Sequence, residues 1–462
     1  MKIPTFYKSL KINTFQLRFL IKMISIFLAC WTSLSLLLLL KIPESFTKLY
    51  AEDGAISLES ALKNSFPSNL FTPIAGYLDI VAHLAGSFAV LFPLVYAPSL
   101  FFAFNTFVYT LICFTVFYAS KEFIPNPINR FFLSLSLILL PIAGFESIAN
   151  TTNLHFFLVS ACIPILIKTS FTMFQSIYFS FFVFFASLSV PLLVFLFPLL
   201  AFRRITVNHK SLFTKPNLVE VMWTLGLLLQ FLFIASNGFL AATKSEGFNS
   251  ILKPIYLYLD RVLGTTLIPT WGFVSKGDIT ANQDLSPLNS PLYIRAILSL
   301  ITFILLIFYV ISRNKQKSEA RKVAILVIVT TSFYWICVGV VFNSAPRYAI
   351  LPAFGLIFAL FCVQDVEPVT NKLHIKSIAL PTLIILTWIG SWQPSQFRVE
   401  GPVWIDEFRK AEFECSTGKE DVDIRIIPLN QNWTVTVDCR KIQRLDYRAR
   451  ISNSPNINNL FF

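Results

Sequence analysis

Charge is what this chain has least of: Asp, Glu, Lys and Arg make up 14% of its 462 residues against 55% hydrophobic, and they sit in the gaps between long apolar runs. A charged side chain at mid-bilayer costs about 2.5–3.5 kcal/mol on insertion scales. The uncharged stretches 98–119, 221–243, 323–346 and 377–397 therefore read as membrane-spanning helices. Glycine is also scarce, 15 residues against 49 Phe, which argues against small-residue seams as the main way the helices pack. The four histidines have no zinc spacing, and there is no Walker-type loop, dinucleotide fingerprint or Gly-x-Ser-x-Gly elbow. These absences argue against an ATP-driven pump. The near lack of charge inside the spans argues against a secondary transporter. The net charge of +13 does not indicate nucleic acid, because the bases cluster beside the ends of apolar runs, where they set orientation.

Those basic ends give a topology. Residues 1–22 carry Lys2, Lys8, Lys11, Arg18 and Lys22 without an acid, 203–215 carry Arg203, Arg204, Lys210 and Lys215, and 313–322 carry five bases against Glu319. Placing these three segments in the cytoplasm puts loops 42–97 and 238–291, the turn 343–347 and everything after about 395 outside. The run 19–40 is too long for a signal h-region and reads as a retained first helix. Further helices are expected near 219–237, 292–312, 323–342, 348–363 and 378–394. Between the first helix and Arg203 an odd number of crossings is required. Of two countings, the preferred one lays 77–97 along the outer surface, because Asp79 and His83 lie within it and Pro93 and Pro98 break it, and splits 170–202 at Pro191. The fold expected is thus an all-α polytopic membrane protein of about eleven spans: a cytoplasmic 1–19, a membrane domain over 20–395, and an extracytoplasmic tail over 396–462.

In that tail, Asp423 to Ile427 and Trp433 to Asp438 alternate apolar and polar residues around the turn Pro428 to Asn432, as a small β-hairpin in a β or α/β module would. Cys415 and Cys439 sit in it, and outside the cytoplasm a disulfide between them is the natural reading. The other five cysteines fall in or at the ends of apolar spans and read as small buried hydrophobes.

Three polar islands can carry chemistry. Tyr50-Ala51-Glu52-Asp53-Gly54 follows the first helix and precedes a stretch with Leu58, Ala61 and Leu62 at helical spacing, then Ala75-Gly76-Tyr77-Leu78-Asp79. Two adjacent carboxylates at a membrane surface can take a proton from a hydroxyl or bind a divalent cation; as the plain alternative, they cap the helix that follows. The second island runs through Glu146, Asn150, Asn153 and His155; spacings of four and three put the first three on one face if the segment is helical. Its amides suit sugar hydroxyls or, more plainly, loose backbone ends. The third is the turn Asn343 to Tyr348, where Arg347 offers a fork of donors to phosphate or snorkels to lipid headgroups. Lys244, Lys253 and Arg261 are weaker anion-binding candidates. Asn150-Thr151-Thr152 and Asn432-Trp433-Thr434 match the N-glycosylation pattern, which matters only in a secretory pathway.

The layout resembles the GT-C class of membrane glycosyltransferases, which includes protein O-mannosyltransferases, aminoarabinose transferases and oligosaccharyltransferases. Glu52-Asp53 after helix one, the 77–97 stretch, Glu146 after helix three and the 238–291 loop occupy the matching places. The wording Glu52-Asp53-Gly54, Ala75-Gly76-Tyr77, Gly144-Phe145-Glu146 with Asn153-Leu154-His155, Pro346-Arg347-Tyr348, and Gly401-Pro402-x-Trp404 before a cysteine is also similar to a group of bacterial envelope proteins. The resemblance implies a multi-pass enzyme of the bacterial inner membrane that transfers a sugar from a polyprenyl-phosphate carrier to a glycan, lipid or protein acceptor on the outer face. It implies Asp53 as general base, Glu52 or Glu146 orienting the acceptor or holding a magnesium or manganese ion, and Arg347, helped by Arg261, on the leaving phosphate. Tyr77, Asp79, Asn150, Asn153, His155 and Tyr348 would line the substrate pocket. The nearest rivals are a polysaccharide polymerase or ligase and a lipid-linked sugar flippase.

Overall fold

The computed structural model describes residues 14–143, 147–207, 216–237, 252–267, 290–312, 318–341, 345–364, 375–390, 401–428 and 432–442. Backbone removed from water must satisfy its own N–H and C=O groups, so the apolar runs become helices. These are α1 (Thr14–Lys41), α2 (Ile80–Ala89), α3 (Ala97–Ala119), α4 (Pro127–Leu139), α5 (Leu154–Ile167), α6 (Met173–Ser189), α7 (Phe197–Val207), α8 (Leu218–Asn237), α9 (Ser290–Ser312), α10 (Ser318–Val341), α11 (Ile350–Gln364) and α12 (Ile375–Gly390). Among the described residues, Ile21–Lys41, Leu94–Glu122, Leu218–Asn237, Glu319–Val340 and Arg347–Gln364 are long and apolar enough to cross a membrane. The chain is a helical membrane protein. α1 illustrates the lipid-facing pattern: Leu34 and Leu38 are buried against α3, while Leu36 and Leu40 are 58% and 72% exposed.

The bundle has two chemically different ends. At one end Tyr109 of α3 donates through its hydroxyl to Ser147 O and accepts from Ala149 N, both at 3.3 Å, and the amide of Val81 donates to Ser189 Oγ of α6. At the other, Lys168 after α5 pairs with Glu122 after α3 at 3.6 Å, and Arg204 of α7 bonds Glu220 of α8. α11 connects the ends: Tyr348, just before it, meets Phe156 at the start of α5, and Phe358 meets Phe123 just after α3.

The run 77–97 is not one helix. α2 spans ten residues, about 15 Å at 1.5 Å per residue, half a bilayer. It stops before Pro93, and α3 starts only at Ala97. Ile80, Val81, Ala82, His83, Ala85, Gly86 and Ala89 of this short helix are buried by protein. The helix comes closest at Gly86, where a Cβ would stand 2.1 Å from Ser57 O, so only glycine lets the two backbones meet. The segment 170–202 does split at Pro191, into α6, a 3-10 segment Pro191–Leu196 and α7.

Residues 401–442 form a small α/β module. Helix α13 (Trp404–Ser416) packs on two antiparallel strands, β1 (Asp421–Arg425) and β2 (Thr434–Asp438), paired Asp421 to Asp438 through Arg425 to Thr434. The strands begin and end within two residues of the expected hairpin. Val422, Ile424, Val435 and Val437 alternate inward, as the period of a strand requires. Of the two expected forms, β or α/β, the helix makes it the second, and Trp404, Phe408, Ala411 and Cys415 mark its buried stripe. The Cys415–Cys439 disulfide ties it to the end of β2. The module is fixed to the first loop by backbone bonds: Ala51 N to Ile427 O at 2.6 Å, Ile427 N to Leu49 O at 3.2 Å and Trp404 N to Thr47 O at 3.0 Å. The Trp404 indole donates to Leu94 O at 2.8 Å.

Candidate functional site

The first polar island lies between the module and the bundle. Residues Asp53–Leu58 form a π-helical turn, a backbone form that recurs at functional sites, and an α-helix Glu59–Lys63 follows. Leu58, Ala61 and Leu62 are buried as their spacing implied. Both carboxylates sit in the first turn of the helical run 51–63, and Glu52 makes no side-chain cap bond there. Behind the motif, a Cβ on Gly54 would come within 2.6 Å of Ile426 Cδ1 and 2.9 Å of Val435 Cγ2. Glycine here lets the module seat directly against the acidic pair.

The two carboxylates differ in environment. Asp53 is 2% exposed, and its Oδ1 accepts the amide of Thr151 at 2.7 Å. Glu52 is half-buried and accepts Asn150 Nδ2 at 3.1 Å. The Asn150 carbonyl oxygen accepts from the amide and hydroxyl of Thr152 at 3.1 and 2.7 Å, which turns its NH2 toward Glu52. First and second islands are thus joined through both carboxylates. The one-face expectation for Glu146, Asn150 and Asn153 does not hold for the amides: Asn150 is extended, at φ −122° and ψ 117°, and only a 3-10 turn Thr151–Asn153 leads into α5. The side chains that fix Asn150 override helical spacing. Asn153 is buried at the start of α5. Asn150 is fully buried too, so its glycosylation pattern is not exposed. Glu146 lies outside the described residues.

Asp79 begins α2, its Oδ1 accepting Ala82 N at 3.2 Å, while its Oδ2 lies 3.1 Å from His155 Nδ1; both residues are buried. His155 stands edge-on to Tyr77, with ring centres 6.1 Å apart, and packs on Phe156, which meets Tyr348 at 5.2 Å. Tyr77 keeps part of its surface exposed, yet its phenol is held far above its ordinary pKa. Desolvation is the largest cause, Asp79, Tyr348 and Glu52 add to it, and Arg347 opposes it. Residues far apart in sequence therefore act on one phenol. Arg347 stands 5.7 Å from the Tyr348 ring centre in a 3-10 turn Pro346–Ala349. Arg261 is on a second π-helical segment, Tyr258–Gly264, that packs against this turn. Lys244 and the residues 342–344 lie outside the described residues, as does the side chain of Lys253.

Two contributors were missed by sequence reasoning. Gln230 of α8 is fully buried, and its amide brackets Leu78, accepting from Leu78 N at 3.3 Å and donating to Leu78 O at 3.0 Å. Its signal was a lone amide inside an apolar span. His83, also fully buried, has Nε2 2.8 Å from Thr72 O; burial lowers its pKa, with Asp79 and that carbonyl opposing. Among the described residues no three His, Cys, Asp or Glu side chains are arranged to hold a metal ion, and Asp79 and His155 already engage each other.

No protein-family model, curated protein or solved structure matches the chain.

Proposed function

We propose that this helical membrane protein is a glycosyltransferase of GT-C-like layout, moving a sugar from a polyprenyl-phosphate carrier to an acceptor hydroxyl at the outer face of a bacterial inner membrane. The reading takes eleven crossings: α1, α3, α4, α5, α6, the segment 191–207, α8, α9, α10, α11 and α12. The amino terminus is then cytoplasmic, and the site and the 401–442 module lie together outside. The observation that supports it is the chain of contacts from Tyr77 to His155 and on to Asp79, with Phe156 beside His155 meeting Tyr348, next to Arg347. A carboxylate and a guanidinium on the same side of the bundle suit a displacement in which a proton is taken by one and a phosphate by the other.

In this reading Glu52, the more accessible carboxylate, accepts the acceptor's proton, and Asn150 fixes its orientation. Asp53, held by the Thr151 amide, positions the turn rather than reacting. The acceptor oxygen bonds to the anomeric carbon with inversion as the carbon–phosphate oxygen bond breaks, and the electron pair leaves on the phosphate. Arg347 receives that charge in bidentate fashion. Tyr77 and the Asp79–His155 pair line the sugar. No step is routed through a metal ion.

A second reading, a polymerase or ligase using a lipid-diphosphate donor, is favoured by one feature: Arg261 and Arg347 lie on packed elements and offer two cations. Proteoliposomes holding the purified protein, supplied with labelled sugar on polyprenyl phosphate or on polyprenyl diphosphate, separate the two. Product from the monophosphate alone is expected. Product only from the diphosphate transfers the assignment to the second reading, and donor movement without a new glycosidic bond makes the protein a flippase.

A further inference from the structure

The opposite end of the bundle holds a cavity of about 550 Å³ between α7 and α8, lined by Phe197, Leu200, Arg204, Glu220, Trp223 and Leu228 among others. Its chemistry is two-part. Along the helices it is apolar and open to the lipid side: Phe197 and Leu228 are each 54% exposed, and Phe197 stacks on Trp223 with ring centres 6.1 Å apart. At its head it is cationic. The single carboxylate of Glu220 bonds Arg204, lies 3.9 Å from Arg203 and accepts the amide of Asn217 at 3.1 Å. Asn217 Oδ1 in return accepts Glu220 N at 3.0 Å, which locks this carboxylate at the start of α8. Arg203, just outside the cavity lining, is also in the field of Glu122, itself paired to Lys168, so three bases meet two acids around the head of the apolar groove.

The indole of Trp223 is an independent sign of a ligand. The residue is 7% exposed, and its Nε1 has no hydrogen-bond partner. A buried N–H without an acceptor costs about 1–3 kcal/mol, and indole N–H groups at membrane boundaries ordinarily find one.

We infer that this cavity is a binding site for one anionic phospholipid, with the phosphate at Arg204 and the Trp223 N–H and an acyl chain in the groove between Phe197 and Leu228. Charge selects the occupant: a zwitterionic lipid brings a cation to a head that already has a positive excess, whereas an anionic lipid neutralises it. The apolar groove excludes a free phosphate as the full ligand. The site is separate from the sugar-transfer reading and stands or falls without it.

Delipidated full-length protein in neutral detergent is titrated with fluorescent phosphatidylglycerol, with phosphatidylcholine and inorganic phosphate as competitors. Saturable binding of one phosphatidylglycerol per chain is expected, displaced by neither competitor. Trp223→Phe keeps the ring and removes the donor, and should weaken binding by about tenfold. Leu228→Trp fills the groove from an exposed position and should abolish it while leaving the melting temperature unchanged. Equal retention of phosphatidylcholine, displacement by inorganic phosphate, or undiminished binding to both variants would each overturn the assignment.

Discussion

The two ends of the helix bundle use charged groups in opposite ways. At the end carrying Arg203, Arg204 and Glu220, and Lys168 with Glu122, acids are matched to bases across helix termini. At the other end Glu52, Asp53 and Asp79 are held by an asparagine, a backbone amide and a histidine, Glu59 pairs with Lys63 on the surface, and Arg347 stands beside Tyr348. Ion pairs between helix termini mark the first end; an amide side chain, a backbone amide and the Asp79–His155 contact hold the acids at the second. In the proposed reading Glu52 is the reacting acid of the second end and Asp53 a positioning one.

Substitutions can break the comparison. Glu220→Gln takes its carboxylate from the half-buried Arg204 and the buried Arg203 and should cost about 3 kcal/mol of stability, read by thermal unfolding in detergent, while transfer per folded molecule stays unchanged. Removing the Cys415–Cys439 bridge as a double Cys→Ala variant should cost the 401–442 module about 3 kcal/mol, since the bridge closes a loop of 24 residues in sequence separation. Faster limited proteolysis of the module, together with reduced transfer, is the expected readout, because Ile426 and Val435 back the acidic pair at Gly54. Gly86→Ala should cost about 2–3 kcal/mol, because the new methyl meets Ser57 backbone that cannot turn aside. Asp79→Asn should cost about 1–2 kcal/mol through its weakened hold on His155 and Ala82 N, with a larger loss of transfer than of stability. Arg440→Ala is the smallest. The exposed Arg440 holds the Asp438 carboxyl down to about 2, so without it an acid titration followed by NMR should show Asp438 returning to the ordinary carboxylate range. That depressed pKa favours the fold above the ordinary carboxylate range and loses its effect as pH falls toward 2, so the cost of the substitution is felt at neutral pH, small because Arg440 is exposed, and vanishes near pH 2.

Much of this was legible in the sequence because bilayer energetics write long uncharged runs. Leu218–Asn237 and Ser290–Ser312 begin within two residues of their expected starts, and the break at Pro191 is real. The cysteine pair was legible from its polar surroundings. The division between Glu52 and Asp53 was not, because it depends on a backbone amide 98 positions away. Nor was the π-helical turn, since local sequence does not mark which carbonyl each amide chooses. The one-face expectation for Asn150 and Asn153 failed because Glu52 and Thr152 hold Asn150 outside a helix. Gln230 was overlooked because an amide carries no charge to interrupt an apolar run.

The most direct test of the contrast is transfer of labelled sugar from polyprenyl phosphate by Glu52→Gln protein in proteoliposomes, with donor binding measured on the same sample. Loss of a general base predicts a fall of roughly 10²–10⁴-fold in transfer with donor binding and melting temperature unchanged. Undiminished transfer by Glu52→Gln would contradict the assignment of this end of the bundle as the reacting one.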